Sequence, residues 1–268
     1  MRSLRTHILL LLLFLSNGLQ GSTSIKSYNG FRTNPYTTKE YRKTVSPYLM
    51  PANHPIKEML DEIFTKNRVT SDLETFKTAG FQLIPTNQRS HIVVARHPAL
   101  PGYIVKVALD SEKKQKFNRP SWVWLARRCE LANKIRAVIR KQKCYLFTVA
   151  QKWIYPLPTT PPTLKKDYER KNEILVVTDM ELANDSENEE AWKNMTKTHL
   201  KQLYTIITYA GGCSYRKDNI PVTKSGKFAF IDTEYPHRTP NYQTVIDFLS
   251  PEMRKYWMRL VDKGGLVY

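Results

Sequence analysis

No stretch constrains this chain more than residues 211–234. Gly211-Gly212-Cys213-Ser214-Tyr215-Arg216-Lys217-Asp218-Asn219 has the composition of a loop, and two short apolar runs, Ile220-Pro221-Val222 and Phe228-Ala229-Phe230, flank a Lys-Ser-Gly-Lys turn before Asp232-Thr233-Glu234. A strand, a tight turn and a second strand return the backbone to where it began, so the pattern predicts Asn219 and Asp232 side by side. An amide oxygen and a carboxylate among basic residues suit magnesium and phosphate. An ordinary surface hairpin uses the same residue types, so the rest of the chain has to decide between the two.

Residues 1–22 read as a secretory signal peptide: Arg2 and Arg5 precede the apolar run 8–15, and small residues follow. An uncleaved anchor is the competing reading, but the run is far shorter than the roughly 20 residues of a spanning helix. The expectation is a secreted or extracytoplasmic protein with no membrane span after signal cleavage. Residues 23–53 are polar and read as a linker or arm.

The chain carries 42 Lys+Arg against 24 Asp+Glu, a formal net charge of +18. Such a field favours nucleotides, phosphate groups or an acidic protein partner. No specific nucleic-acid motif accompanies it, since the aromatics do not interleave with a basic ladder. With 41% hydrophobic and 25% charged residues the chain is globular rather than disordered. Cys129, Cys144 and Cys213 lack metal-ligand spacing, which leaves one disulfide and one thiol, or three buried thiols.

Apolar residues at three- and four-residue spacing over 54–77 predict amphipathic helices packed outside a sheet. Segments 81–84, 91–95 and 103–109 read as three antiparallel strands separated by turn residues. In the third, alternation sets Lys106 on one face with Ile104 and Ala108, so the lysine either lines a cleft or snorkels from an edge. Residues 121–141 predict a helix with Leu125, Cys129, Ala132, Ile135 and Ile139 inward, and Arg127, Arg128 and Lys134 on the exposed basic face. Glu130 is the only carboxylate between Lys113 and Lys166. It has two partners within reach, Lys106 across the fold or Lys134 one helical turn on. Strands at 145–154 and 174–177, a polar connector at 183–190, and a helix ended by Gly211-Gly212 complete the order.

Taken together, the lysine strand, the helix with Glu130, two more strands, the connector, the helix, the Asn219 loop and the hairpin before Asp232 resemble the protein-kinase-like fold. The resemblance covers residues 81–234, and the thirteen-residue step from Asn219 to Asp232 is the one that family uses. It implies an α+β, two-lobed fold: an antiparallel-sheet N-lobe with preceding helices over 54–182, and a reduced, mostly helical C-lobe over 183–268. By the same resemblance Lys106 would hold the phosphates of ATP, Glu130 would pair with Lys106, and Asn219 with Asp232 would hold Mg2+.

The departures point to degenerate catalysis. Five residues before Asn219 the family has its catalytic Asp; here that position is Ser214, with Asp218 or Glu234 as the only substitutes at hand. No glycine-rich loop is present, so 87–90 would cover the phosphates, and Asp232-Thr233-Glu234 stands in place of Asp-Phe-Gly. Only 36 residues follow Asp232, too few for a full peptide-substrate platform. The resemblance therefore implies an exported, pseudokinase-like regulator or scaffold that binds a nucleotide–Mg complex. An active atypical kinase and a basic module without nucleotide are the second and third readings.

Overall fold

A computed structural model describes residues 31–85, 91–159 and 165–266; residues 1–22, read as a signal peptide, and 87–90, read as a phosphate cover, lie outside them. Seven strands are formed by these residues: β1 (Gln82–Leu83), β2 (Val93–Arg96), β3 (Tyr103–Val107), β4 (Phe147–Val149), β5 (Lys152–Pro156), β6 (Glu173–Thr178) and β7 (Phe228–Phe230). The helices are α1 (Lys39–Val45), α2 (Lys57–Thr65), α3 (Leu73–Thr78), α4 (Ser121–Lys141), α5 (Asp185–Lys193), α6 (Lys197–Ala210) and α7 (Pro251–Asp262). The fold is α+β. Five strands make an antiparallel sheet in the order β1-β2-β3-β6-β5.

Alternation gives this sheet two different faces, because successive side chains leave a strand on opposite sides. Val105, Val107, Ile174, Val176 and Tyr155 face α2 and α3, where Leu60, Phe64 and Phe76 cover them. Phe76 stacks on Phe81 with ring centroids 4.1 Å apart, and Arg68 clamps the fully buried Asp110 just after β3 with contacts of 2.7 and 2.8 Å. Ile154, Leu175 and Val177 point to the other face, against Leu125, Ala126 and Cys129 of α4. Lys106 and Lys152 alternate with the first set, so they too belong to the α4 side.

The segment read as a polar arm, 23–53, is instead part of the core where it is described. Tyr41, Val45 and Leu49 are buried against α4 and the inner sheet face. Thr38 caps α1 by accepting from the Tyr41 amide, and Met50 N donates to the Ile154 carbonyl at 3.0 Å. The four-residue spacing of those three residues is a helical stripe diluted by polar neighbours. Truncating fully buried Val45 to Ala is expected to cost about 1–3 kcal/mol in urea unfolding; a solvated arm would give no change.

A second core collects Trp192, Leu203, Ile206, Ile207, Val245, Trp257 and Leu260 from the later helices, and also Leu131, Ile135, Phe147 and Val149 from before residue 183. The expected division at 182/183 is therefore crossed by α4, whose first half packs on the sheet and whose second half packs on α6. The single strand expected at 145–154 is two: β4 pairs in parallel with β7 in this second core, and β5 joins the five-stranded sheet. Gly211, at a φ of 72°, ends α6 in a conformation that favours glycine. The 220–230 hairpin is shorter than expected, with a Val222–Phe228 bridge and a turn closed by Thr223 N to Lys227 O at 2.8 Å. Its ends nevertheless meet, Ile231 N donating to Asn219 O at 3.0 Å. No described helix is long and apolar enough to cross a membrane.

Candidate anion-binding site

Three elements converge at the end of β7. That strand delivers Ile231, Asp232, Thr233 and Glu234; the α4 face of the sheet delivers Lys106 and Lys152; α4 itself delivers Arg128. The Lys152 ammonium donates to the Ile231 carbonyl (3.1 Å) and to Thr233 Oγ1 (2.7 Å), and Thr233 Oγ1 in turn donates to the Arg128 carbonyl (2.6 Å). Lys106 Nζ reaches the same Ile231 carbonyl at 3.5 Å. One carbonyl thus gathers both lysines beside Asp232.

Arg128 is the centre of the charge network. Its Nε lies 3.2 Å from Asp232 Oδ1 and its Nη2 lies 2.6 Å from Glu234 Oε1. Its Nη1 is buried and has no hydrogen-bond partner. Glu234 also pairs with Lys116, whose ammonium sits over the rings of Trp124 and Tyr235. Burial disfavours the charge of Asp232, but Arg128, Lys106 and Lys152 outweigh it and hold the carboxyl well below the usual range. The two lysines move the other way. Burial lowers the Lys106 pKa with Arg128 adding to the effect against Asp232, and burial followed by the repulsion of Lys106 lowers that of Lys152 further. Four basic side chains around two carboxylates form a site that is short of negative charge.

Beside it opens a cavity of about 310 Å³, within the size range of small-molecule sites. Lys114, Lys116, Arg119, Arg128 and Lys171 line it, with Glu112, Asp232 and Glu234 as its carboxylates. The excess of cations makes its wall suited to a phosphate-bearing ligand.

Of the residues singled out from sequence, Lys106 and Asp232 come together, and Asn219 is tied to them through its carbonyl. Glu130 does not join them. It takes the local partner, Lys134, at 2.9 Å, and also His237 at 3.2 Å. Asn219 donates its side-chain amide to the Ser214 carbonyl at 3.0 Å, which pins the loop closed. Asp218 is exposed and paired with Arg216.

Sequence reasoning missed Arg128 and Lys152. Arg128 was assigned to the exposed face of its helix, yet it lies three residues after Leu125 and four before Ala132, on the flank of the buried stripe. Lys152 shares a face with Ile154 as Lys106 does with Ile104, the same signal in a second strand.

Phosphates fit these residues and a divalent metal does not. The Asp232 oxygen that meets Arg128 is engaged, the Asn219 amide serves its own loop, and a dication would add to an excess of positive charge. Among the described residues no cluster of three or more His, Cys, Asp or Glu is arranged for a metal. Searches against protein-family models and against curated proteins find no match to this chain.

Proposed function

We propose that this chain is an exported, kinase-like protein that binds the phosphates of a nucleotide through Lys106 and has lost efficient phosphoryl transfer. The observation that carries the reading is Lys106 on the third strand of a five-stranded antiparallel sheet, half-buried on the α4 side next to an Asp thirteen residues beyond a loop Asn. In kinases a lysine on that strand holds nucleotide phosphates. The helix packed on the same face, and the second core below it, support the two-lobed arrangement.

Loss of transfer rests on Ser214. A hydroxyl does not accept and orient the proton of an acceptor alcohol as a carboxylate does, and Asp218 is turned to solvent with Arg216. The protein then acts by what it binds, as a regulator or scaffold. Arg2, Arg5 and the apolar run behind them support export.

Thermal denaturation with ATP tests the binding. At about a hundred times the Kd, wild-type protein should melt roughly 5–10 °C higher than without ligand. Lys106→Ala should remove that shift while retaining a cooperative melt. Radiolabelled ATP should transfer no phosphate to the protein or to a generic acceptor. Absence of any shift would dismiss nucleotide binding, and transfer lost in Asp232→Ala would make the protein an active atypical kinase.

A further inference from the structure

Resting on the kinase-like reading, we infer that this site takes its nucleoside triphosphate without a divalent metal, with the Arg128 guanidinium supplying positive charge that metal ions supply elsewhere. In a metal-using kinase the lysine is balanced by a glutamate from the neighbouring helix, and the carboxylate of the Asp is left to coordinate magnesium. Both conditions are reversed here. The helix presents Arg128 to the lysine strand, while Glu130 is engaged by Lys134 and His237. Asp232 is met by that same arginine at 3.2 Å.

The consequence is electrostatic. Where a glutamate would have cancelled Lys106, a second fixed cation, Arg128, stands, while Lys152 is held by the Ile231 carbonyl and the Thr233 hydroxyl on either side of Asp232. A triphosphate entering this cluster meets fixed cations already in place. Arg128 also retains a buried donor, Nη1, that no protein atom satisfies. An unpaired buried guanidinium nitrogen is costly, and an anionic oxygen is the partner that relieves it best. The adjoining cavity continues the same chemistry with Lys114, Lys116, Arg119 and Lys171. A metal ion, by contrast, would find one Asp232 oxygen already held by Arg128 and would be repelled by that guanidinium and by Lys106.

Calorimetric titration of the protein with ATP, in excess EDTA and again in magnesium, tests this directly. The expected result is a Kd in EDTA equal to or tighter than that in magnesium. Arg128→Gln should weaken binding in EDTA by about tenfold or more, as loss of a charge-assisted contact does. Asp232→Asn should leave binding in EDTA unchanged or improved, because it removes a negative charge from an anion site. This second variant, with wild type, decides the matter if Arg128→Gln does not fold. Binding that weakens tenfold or more in EDTA, or that vanishes in Asp232→Asn, would overturn metal-free binding and leave nucleotide binding intact. No binding of ATP or inorganic tripolyphosphate under either condition would overturn both.

Discussion

Replacing Arg128 with methionine should destabilise the protein by about 3–5 kcal/mol, read as a lowered urea midpoint at unchanged m-value. The guanidinium bridges Asp232 and Glu234 from a position that is 7% exposed. Methionine keeps much of the side-chain length and apolar stem, so packing is largely preserved and the charge is what disappears. Glu234 is then left in a low-dielectric position, with the half-buried carboxylate of Asp232 beside it. Lys106 and Lys152 still face Asp232, and Lys116 still faces Glu234, which puts the expected loss toward the lower end of the range. If the loss is electrostatic, neutralising Glu234 as well, in Arg128→Met with Glu234→Gln, should recover part of it. A double-mutant cycle would then give a coupling of about 1–3 kcal/mol. A single-variant loss below about 1 kcal/mol would mean that the network is not holding the end of β7 against α4.

How far the site could be read from sequence follows from the range over which each signal acts. The meeting of the chain ends at Asn219 and Asp232 was legible because a hairpin is local, turn residues and two short apolar runs fixing where the strands return, but the backbone contact falls on Ile231 and the Asn219 amide turns to Ser214. Lys106 was legible as an anomaly, a charge breaking the alternation of an apolar strand. Arg128 was not. Its charge argued for the exposed face while its spacing from Leu125 and Ala132 argued for the buried flank. Deciding between those needs knowledge of the two carboxylates that follow β7, about a hundred residues later. For Glu130 the residues left Lys106 and Lys134 both open and the resemblance alone favoured Lys106, since only the helix's packing angle determines which of two nearby positions looks at the sheet.

The fold was legible to a similar depth. The antiparallel strands and the long helix follow from periodicity, which acts over a few residues. The parallel pairing of β4 with β7 joins distant segments through Phe147, Phe228 and Phe230, and no local pattern encodes it. Once that pairing forms, 145–154 cannot remain one strand, because its first half is committed to the second core. The α1 region shows the opposite failure: Tyr41, Val45 and Leu49 carry a regular stripe that composition alone conceals.

Glu173 should make the protein less stable as the pH rises from about 4.5 to about 7, and Glu173→Gln should remove that trend. The carboxyl lies on the α4 face of β6, 1% exposed, in the same alternating set as Leu175 and Val177. Ser121 Oγ, at the start of α4, donates to Oε1 at 3.1 Å, while Oε2 is buried without a partner. Burial is the dominant influence and raises its pKa to about 7, against the opposing effects of Ser121, Tyr41, the Asn172 amide and Lys171. The sign follows from proton binding. Between the unfolded value near 4.5 and the folded value near 7, the native state holds a proton that the unfolded chain has released, so raising the pH favours unfolding. Below that window both states are protonated, and above it both are ionised with the native state bearing the cost of a buried charge. The wild type should therefore lose about 3 kcal/mol across the window from this group. Glutamine resembles the protonated acid, so the variant should match wild type near pH 4.5 and be more stable by up to about 3 kcal/mol above pH 7. Asp232 does not blur the comparison. Its pKa is lowered in the native state, so the stability it contributes is present above the ordinary carboxylate range and is lost only on acidification below it. Urea titrations of both proteins from pH 4.5 to 8 would show parallel curves if Glu173 were ionised throughout, and that outcome would place solvent or an unrecognised cation against Oε2.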